Sequence, residues 1–162
     1  MSDYPDLREP ARGLLEEYLR LPDIWQDHGG VPERLPERFE REIEAFPGPA
    51  APPAGDVVIG LGPGGDAVAA GHIVGSETGT CELKRVYVRP AGRRQGAGTQ
   101  LARAMIERAR SLGYRRAVLD VMPSRTGAVA LWHLLGFRDC APYRTYSFPM
   151  TAMALDLDPG PE

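Results

Sequence analysis

The chain has 162 residues, 43% of them hydrophobic, and a formal net charge of −3; that length supports one domain, 1–162, with a core of its own. No apolar run approaches the length of a membrane span, and the opening MSDYPDLREP lacks the basic-then-apolar order of a secretory leader. Two cysteines, Cys81 and Cys140, make neither a disulfide framework nor a metal set, so lone buried thiols, no metal, no membrane and a cytoplasmic location are expected.

In chain order, Leu7, Ala11, Leu14, Leu15, Tyr18 and Leu19 recur at helical spacing and stop before Pro22. A second helix is predicted over residues 37–46, with Phe39, Ile43 and Phe46 on one face. PGPAAPPAG reads as a loop; DVVIGL and DAVAAGHIVG read as a strand pair joined by GPGG, and GTCELKRVYV as a third strand. A glycine-rich turn leads into a helix ending near Leu112, with Leu101, Met105, Ala109 and Leu112 facing inward. RRAVLDV is a strand, TGAVALWHLLG a helix closed by Gly136, and MTAMALDL a last strand. Hairpins plus one strand–helix–strand crossover imply an α/β (α+β) fold with a central, mixed, mostly antiparallel sheet and helices on both faces.

Two glycine-rich stretches compete as phosphate sites. GLGPGG, residues 60–65, has the letters of a dinucleotide fingerprint, but strand and not helix follows it and Pro63 has no N–H; a hairpin turn is the better reading. The turn RRQGAG, residues 93–98, stands between a strand and a helix, so several backbone N–H groups and a helix N-terminus converge on one point. Charge agrees. Residues 84–116 hold ten Lys/Arg against one acid, while residues 1–46 hold twelve acids against six arginines. A positive centre in an acidic chain suits a small anionic ligand and not a nucleic-acid track.

Arg93, Gly96 and Gly98 match the Q/R-x-x-G-x-G/A signature, and ALWHLLGF matches a helix ending in G-F. In these elements the chain resembles the GNAT superfamily of acetyl-CoA-dependent N-acetyltransferases, over about residues 7–157. It looks most similar to small stand-alone members with strand text like CELKRVYV and a Pro142–Tyr143 pair after the G-F. The resemblance implies acetyl-CoA as cosubstrate and a small-molecule amine as partner, with a monomer or homodimer as the working form. Backbone amides of Gln95, Gly96, Ala97, Gly98 and Thr99 would hold the pyrophosphate, with Arg93 and Arg94 adding charge. Val86, Tyr87 and Val88 would offer backbone groups to the acetyl carbonyl and the pantetheine arm.

Members often place the base where Glu82 stands, and period 2 puts Glu82, Lys84, Val86 and Val88 on one face. A cleft glutamate would relay the ammonium proton through water; the alternative is an ion pair with Lys84 or an arginine. Three positions depart from the family. Trp132 stands where a tyrosine commonly protonates the leaving thiolate, which leaves that task to Tyr143, Tyr146 or water, or lets the thiolate leave unprotonated; Tyr143 and Tyr146 otherwise wall the acceptor pocket, and Trp132 packs on pantetheine. Arg125 stands where many members keep an asparagine for pantetheine, and no strand pattern precedes the first helix. The leading expectation is acetyl transfer to a small-molecule primary amine by direct attack in a ternary complex. The alternatives are a weakly or non-catalytic acyl-CoA-binding or interaction module and an enzyme acting on protein amino groups.

Overall fold

The computed structural model describes residues 5–158 apart from Arg94. Four helices, α1 (Arg8–Leu19), α2 (Glu37–Glu44), α3 (Ala97–Ser111) and α4 (Thr126–Leu134), accompany six strands. The strands are β1 (Asp56–Leu61), β2 (Ala67–Glu77), β3 (Thr80–Val88), β4 (Arg116–Val121), β5 (Arg138–Asp139) and β6 (Thr151–Asp156). They form one sheet in the order β1-β2-β3-β4-β6-β5, antiparallel throughout except for the parallel pair β3/β4.

Strand alternation divides the core in two. On one face Leu14, Leu19, Trp25, Ile43 and Phe46 pack on Ala70 and Tyr87; on the other Leu101, Met105 and Phe137 pack on Ile73, Leu83 and Leu119. Where α3 crosses β2, a Cβ at Gly71 would stand 2.3 Å from Met105 Sδ, so the Met105 side chain would have to move aside. The GLGPGG stretch is a hairpin turn, with Gly62 N–H donating to Asp66 O at 2.8 Å.

Several expectations shift. The second helix ends at Glu44, and Phe46 turns into the core at 1% exposure. Residues Pro22–His28, for which the spacing predicts no element, form a 3-10 turn whose Trp25 indole N–H donates to Leu19 O at 2.7 Å and so closes α1. β5 is a two-residue strand the pattern does not announce. Cys81 is fully buried, its thiol pushed up to about 12 by desolvation, but Cys140 is half-exposed, against the expectation of two buried thiols. Among the described residues no strand precedes α1, and β1 forms a sheet edge.

The largest correction lies in β3. Ala70 pairs Tyr87 but His72 pairs Lys84, so β3 carries an extra residue there, and Arg85 sits at φ +54°. A bulge reverses alternation beyond it. Cys81 and Leu83 before the bulge, and Val86 and Val88 after it, all pack with the α3 core, while Tyr87 packs with the α1 core. Glu82 and Lys84 therefore do not share a face with Val86 and Val88.

Candidate active site

β3 and β4 pair at Thr80/Arg116, Cys81/Ala117 and Glu82/Val118 and at no later position, although β3 runs on to Val88 and β4 to Val121. The sheet opens beyond Glu82. Edge backbone groups of two parted strands are left for another molecule to pair with.

Beside the opening, Glu82 is 6% exposed and receives the Tyr143 hydroxyl at 3.2 Å from Oε1. The same hydroxyl lies 3.3 Å from Asp120 Oδ2, and the Tyr146 hydroxyl donates to that oxygen at 3.2 Å. Arg144 Nη2 stands 2.5 Å from Glu82 Oε2, and its Nε 3.6 Å from Asp120 Oδ2. One guanidinium thus sits between two carboxylates that two phenols also contact. Burial, and then the Asp120 charge, push the Tyr143 pKa up; Glu82 adds to it. The same two leading causes push Tyr146 up to about 12. Both phenols therefore stay protonated near neutrality and act as donors. Glu82, Tyr143 and Tyr146, far apart in sequence, are brought together. The expected arginine pair of Glu82 is present too, through Arg144. Sequence reasoning missed Asp120 and Arg144; the one available signal was an acid inside the apolar strand RRAVLDV.

The cluster borders a cleft of about 410 Å³ on the α1/α2 face, walled by Tyr18, Phe39, Lys84, Arg125, Arg144 and Tyr146. Arg85 reaches across to Glu42 with both nitrogens at 2.8 Å, tying α2 to the bulge, and Arg125 Nε binds Asp23 at 2.7 Å.

At the far end of β3, Gly96 takes φ +75°, and Gln100 N–H is the first helical donor, to Gly96 O at 3.0 Å. The N–H groups of Ala97, Gly98 and Thr99 therefore point out of α3 with no carbonyl a turn back, and no side chain caps them. Arg93 is exposed and donates through Nε to Val88 O at 3.0 Å; Gln95 is also exposed. Arg94 lies outside the described residues. Arg89 is committed elsewhere, to Glu17 at 2.6 Å and Ala67 O at 2.9 Å. Tyr87 stacks edgewise on Tyr18 at 6.4 Å. Trp132 is 5% exposed within the α3 core, its ring 5.2 Å from that of Phe137. Among the described residues no group of His, Cys, Asp and Glu is placed to hold a metal, and no helix is long and apolar enough to cross a membrane.

Solved acetyltransferase and acyltransferase structures share this overall fold. The fold is similar to that of a proposed acyl-CoA N-acyltransferase of Klebsiella pneumoniae (TM-score 0.62, 29% identity, 75% of this chain and 86% of that one). It is also similar to YncA of Salmonella typhimurium, solved with acetyl-CoA (TM-score 0.61, 20% identity, 99% of this chain and 92% of that one). Residues 16–137 match the profile of the Acetyltransferase (GNAT) family, and the chain belongs to that family. An uncharacterized N-acetyltransferase of Schizosaccharomyces pombe is 40% identical over 65 residues, 40% of each chain. The matched region spans less than half the length of the curated relatives, 40% and 46%.

Proposed function

We propose that this protein, as a single domain, transfers the acetyl group of acetyl-CoA to a primary amine of a small molecule within a ternary complex. The observation that carries this reading is the parting of β3 from β4, which links the bare N-terminus of α3 on one side to the Glu82 cluster and its cleft on the other. The family, and the acetyl-CoA bound to YncA, support the donor. The N–H groups of Ala97, Gly98 and Thr99, with those of Gln95 and Gly96 before them, suit the pyrophosphate, with Arg93 beside them. Bound acetyl-CoA supplies a thioester carbonyl open to nucleophiles. The freed edge at Val86–Val88 offers backbone groups to the pantetheine amides, and an N–H there stabilises charge on the carbonyl oxygen.

An alkylammonium near pKa 10 must lose a proton before its nitrogen can attack. Glu82, at 6% exposure and at the mouth of the opening, takes that proton through water. The new C–N bond forms, the C–S bond breaks, and the sulfur leaves with the electron pair. Phenols whose pKa lies at or above about 12 are poor acids for a thiolate near 8.5, so solvent protonates the sulfur and the tyrosines serve as donors that hold Glu82 and Asp120. The sum is ammonium plus thioester giving amide, thiol and one proton: the nitrogen loses one proton through Glu82 and a second after the C–N bond forms, and the thiolate takes up one from solvent.

Glu82→Gln tests the assignment. It is expected to lower kcat by about 100-fold or more while acetyl-CoA binding by calorimetry persists. Unchanged turnover removes Glu82 from the mechanism. Acetyl-CoA binding by the wild type with no thiol release on any amine favours the binding-module reading.

A further inference from the structure

Charge in the cleft is lopsided. Its wall carries the cations Arg38, Lys84, Arg85, Arg125 and Arg144 against the acids Glu42 and Asp120. Arg85 is matched by Glu42, and Arg144 by Glu82 and Asp120. Arg125 is matched only in part. Its Nε meets Asp23, but its Nη2 is buried without a hydrogen-bond partner, the one such side-chain atom among the described residues. Lys84 is half-buried and makes no hydrogen bond or ion pair among the described residues. A buried donor left unpaired is costly, more so when charged, and proteins place such donors where something else supplies the acceptor.

Resting on the acetyltransferase reading above, we infer that the acceptor carries an anionic group, a carboxylate or phosphate, together with its amine, and that Lys84 and Arg125 receive that anion. Both residues line the same cleft as Asp120, Arg144 and Tyr146, so one small molecule has its amine at the Glu82 end and its anion at the Lys84–Arg125 end. Desolvation already pushes the Lys84 pKa down, and an anion beside it opposes that shift. Arg38, exposed with its guanidinium 4.6 Å over the Phe39 ring, adds positive potential at the rim that draws anionic acceptors in. A polyamine meets the opposite field, because every acid of the wall is already paired.

The experiment compares matched acceptors by thiol release: α-amino and ω-amino acids against their primary amides, aminoalkyl phosphates against amino alcohols, and a polyamine. Wild type is expected to prefer the anionic member by about tenfold or more in kcat/KM, and the better of the two anionic series names the group. Lys84→Met and Arg125→Gln are each expected to cut that preference at least about fivefold, through KM for the acceptor. Arg125→Gln also loses the Asp23 pair, so Lys84→Met carries the test if that variant folds poorly. Equal or better rates on amides, amino alcohols or the polyamine overturn the inference and leave the acetyltransferase reading standing. A variant effect confined to the KM of acetyl-CoA also overturns it, by placing these cations on the donor. No thiol release from any amine sinks both.

Discussion

Acidification should destabilise this protein through one side chain, His72, before its carboxylates titrate. His72 stands on β2 at 5% exposure, its ring 5.7 Å from that of Phe46, with Glu42, Lys84 and Arg85 as the charges acting on it. Glu42 favours the charged imidazole and the two cations oppose it, but burial is the largest influence, and the pKa falls from 6.5 to about 4. A folded-state pKa below the unfolded one means that between these values the unfolded chain binds a proton the folded chain refuses. Stability from this group is complete above about 6.5 and is lost as pH falls toward about 4. At about 1.4 kcal/mol per pH unit, the loss is about 3 kcal/mol. Urea unfolding of wild type and His72→Gln from about pH 7 to about pH 4 measures it; the stability of wild type should fall by about 3 kcal/mol more than that of the variant. The paired carboxylates Glu17 and Asp56, whose pKa values are depressed, lose their contributions at lower pH and in both proteins alike. Parallel stability curves, or a His72 titration by NMR near 6.5, would refute the reasoning.

Gly55→Ala is expected to destabilise by about 2 kcal/mol or more, since its Cβ would stand 2.5 Å from Ile73 O and 2.7 Å from Ala50 Cα, neither of which can give way cheaply. A lower urea midpoint with unchanged slope is the readout. Gly96→Ala finds open space but keeps φ +75°, so about 1 kcal/mol of backbone strain falls on the turn before α3. Calorimetry should show weaker acetyl-CoA binding at nearly native melting temperature. Arg85→Gly and Arg85→Val both lose the Glu42 pair and the contacts with the Tyr18 and Phe39 rings, but only glycine retains the φ +54° conformation without strain; the valine variant should be less stable by a further ~1–2 kcal/mol and more impaired in turnover.

Elements with strong periodicity were legible from the chain: the apolar spacing of Leu14, Leu15 and Leu19, or of Leu101, Met105 and Ala109, depends only on local geometry. The bulge was not. Nothing in CELKRVYV marks Arg85 as left-handed, because the usual signal is a glycine and here the conformation is held by the ion pair to Glu42 on another element. Glu82 and the tyrosines could be proposed one at a time. That Asp120 and Arg144 complete their cluster follows only from the register of β3 against β4 and from the return of residues 143–146 over it. Interactions between residues this far apart leave no trace in spacing.

The bulge and the split in the sheet are best understood together. An extra residue bends a strand and tightens its twist. The last β3–β4 pair is Glu82/Val118, and the bulge follows at Arg85, so β3 turns away just where it would otherwise continue alongside β4. The same residue reverses the alternation, leaving Glu82 and Lys84 off the face that Val86 and Val88 share with the α3 core. A straight strand would put an acid and the edge proposed for the thioester on one side of the sheet, with no passage between the sides. With the bulge, a donor seated along Val86–Val88 can present its carbonyl through the opening toward the Glu82 cluster. In the proposed mechanism the left-handed residue is thus the point at which sheet geometry becomes reaction geometry, and Glu42, paired with Arg85 there, supports the site without lying in its chemistry.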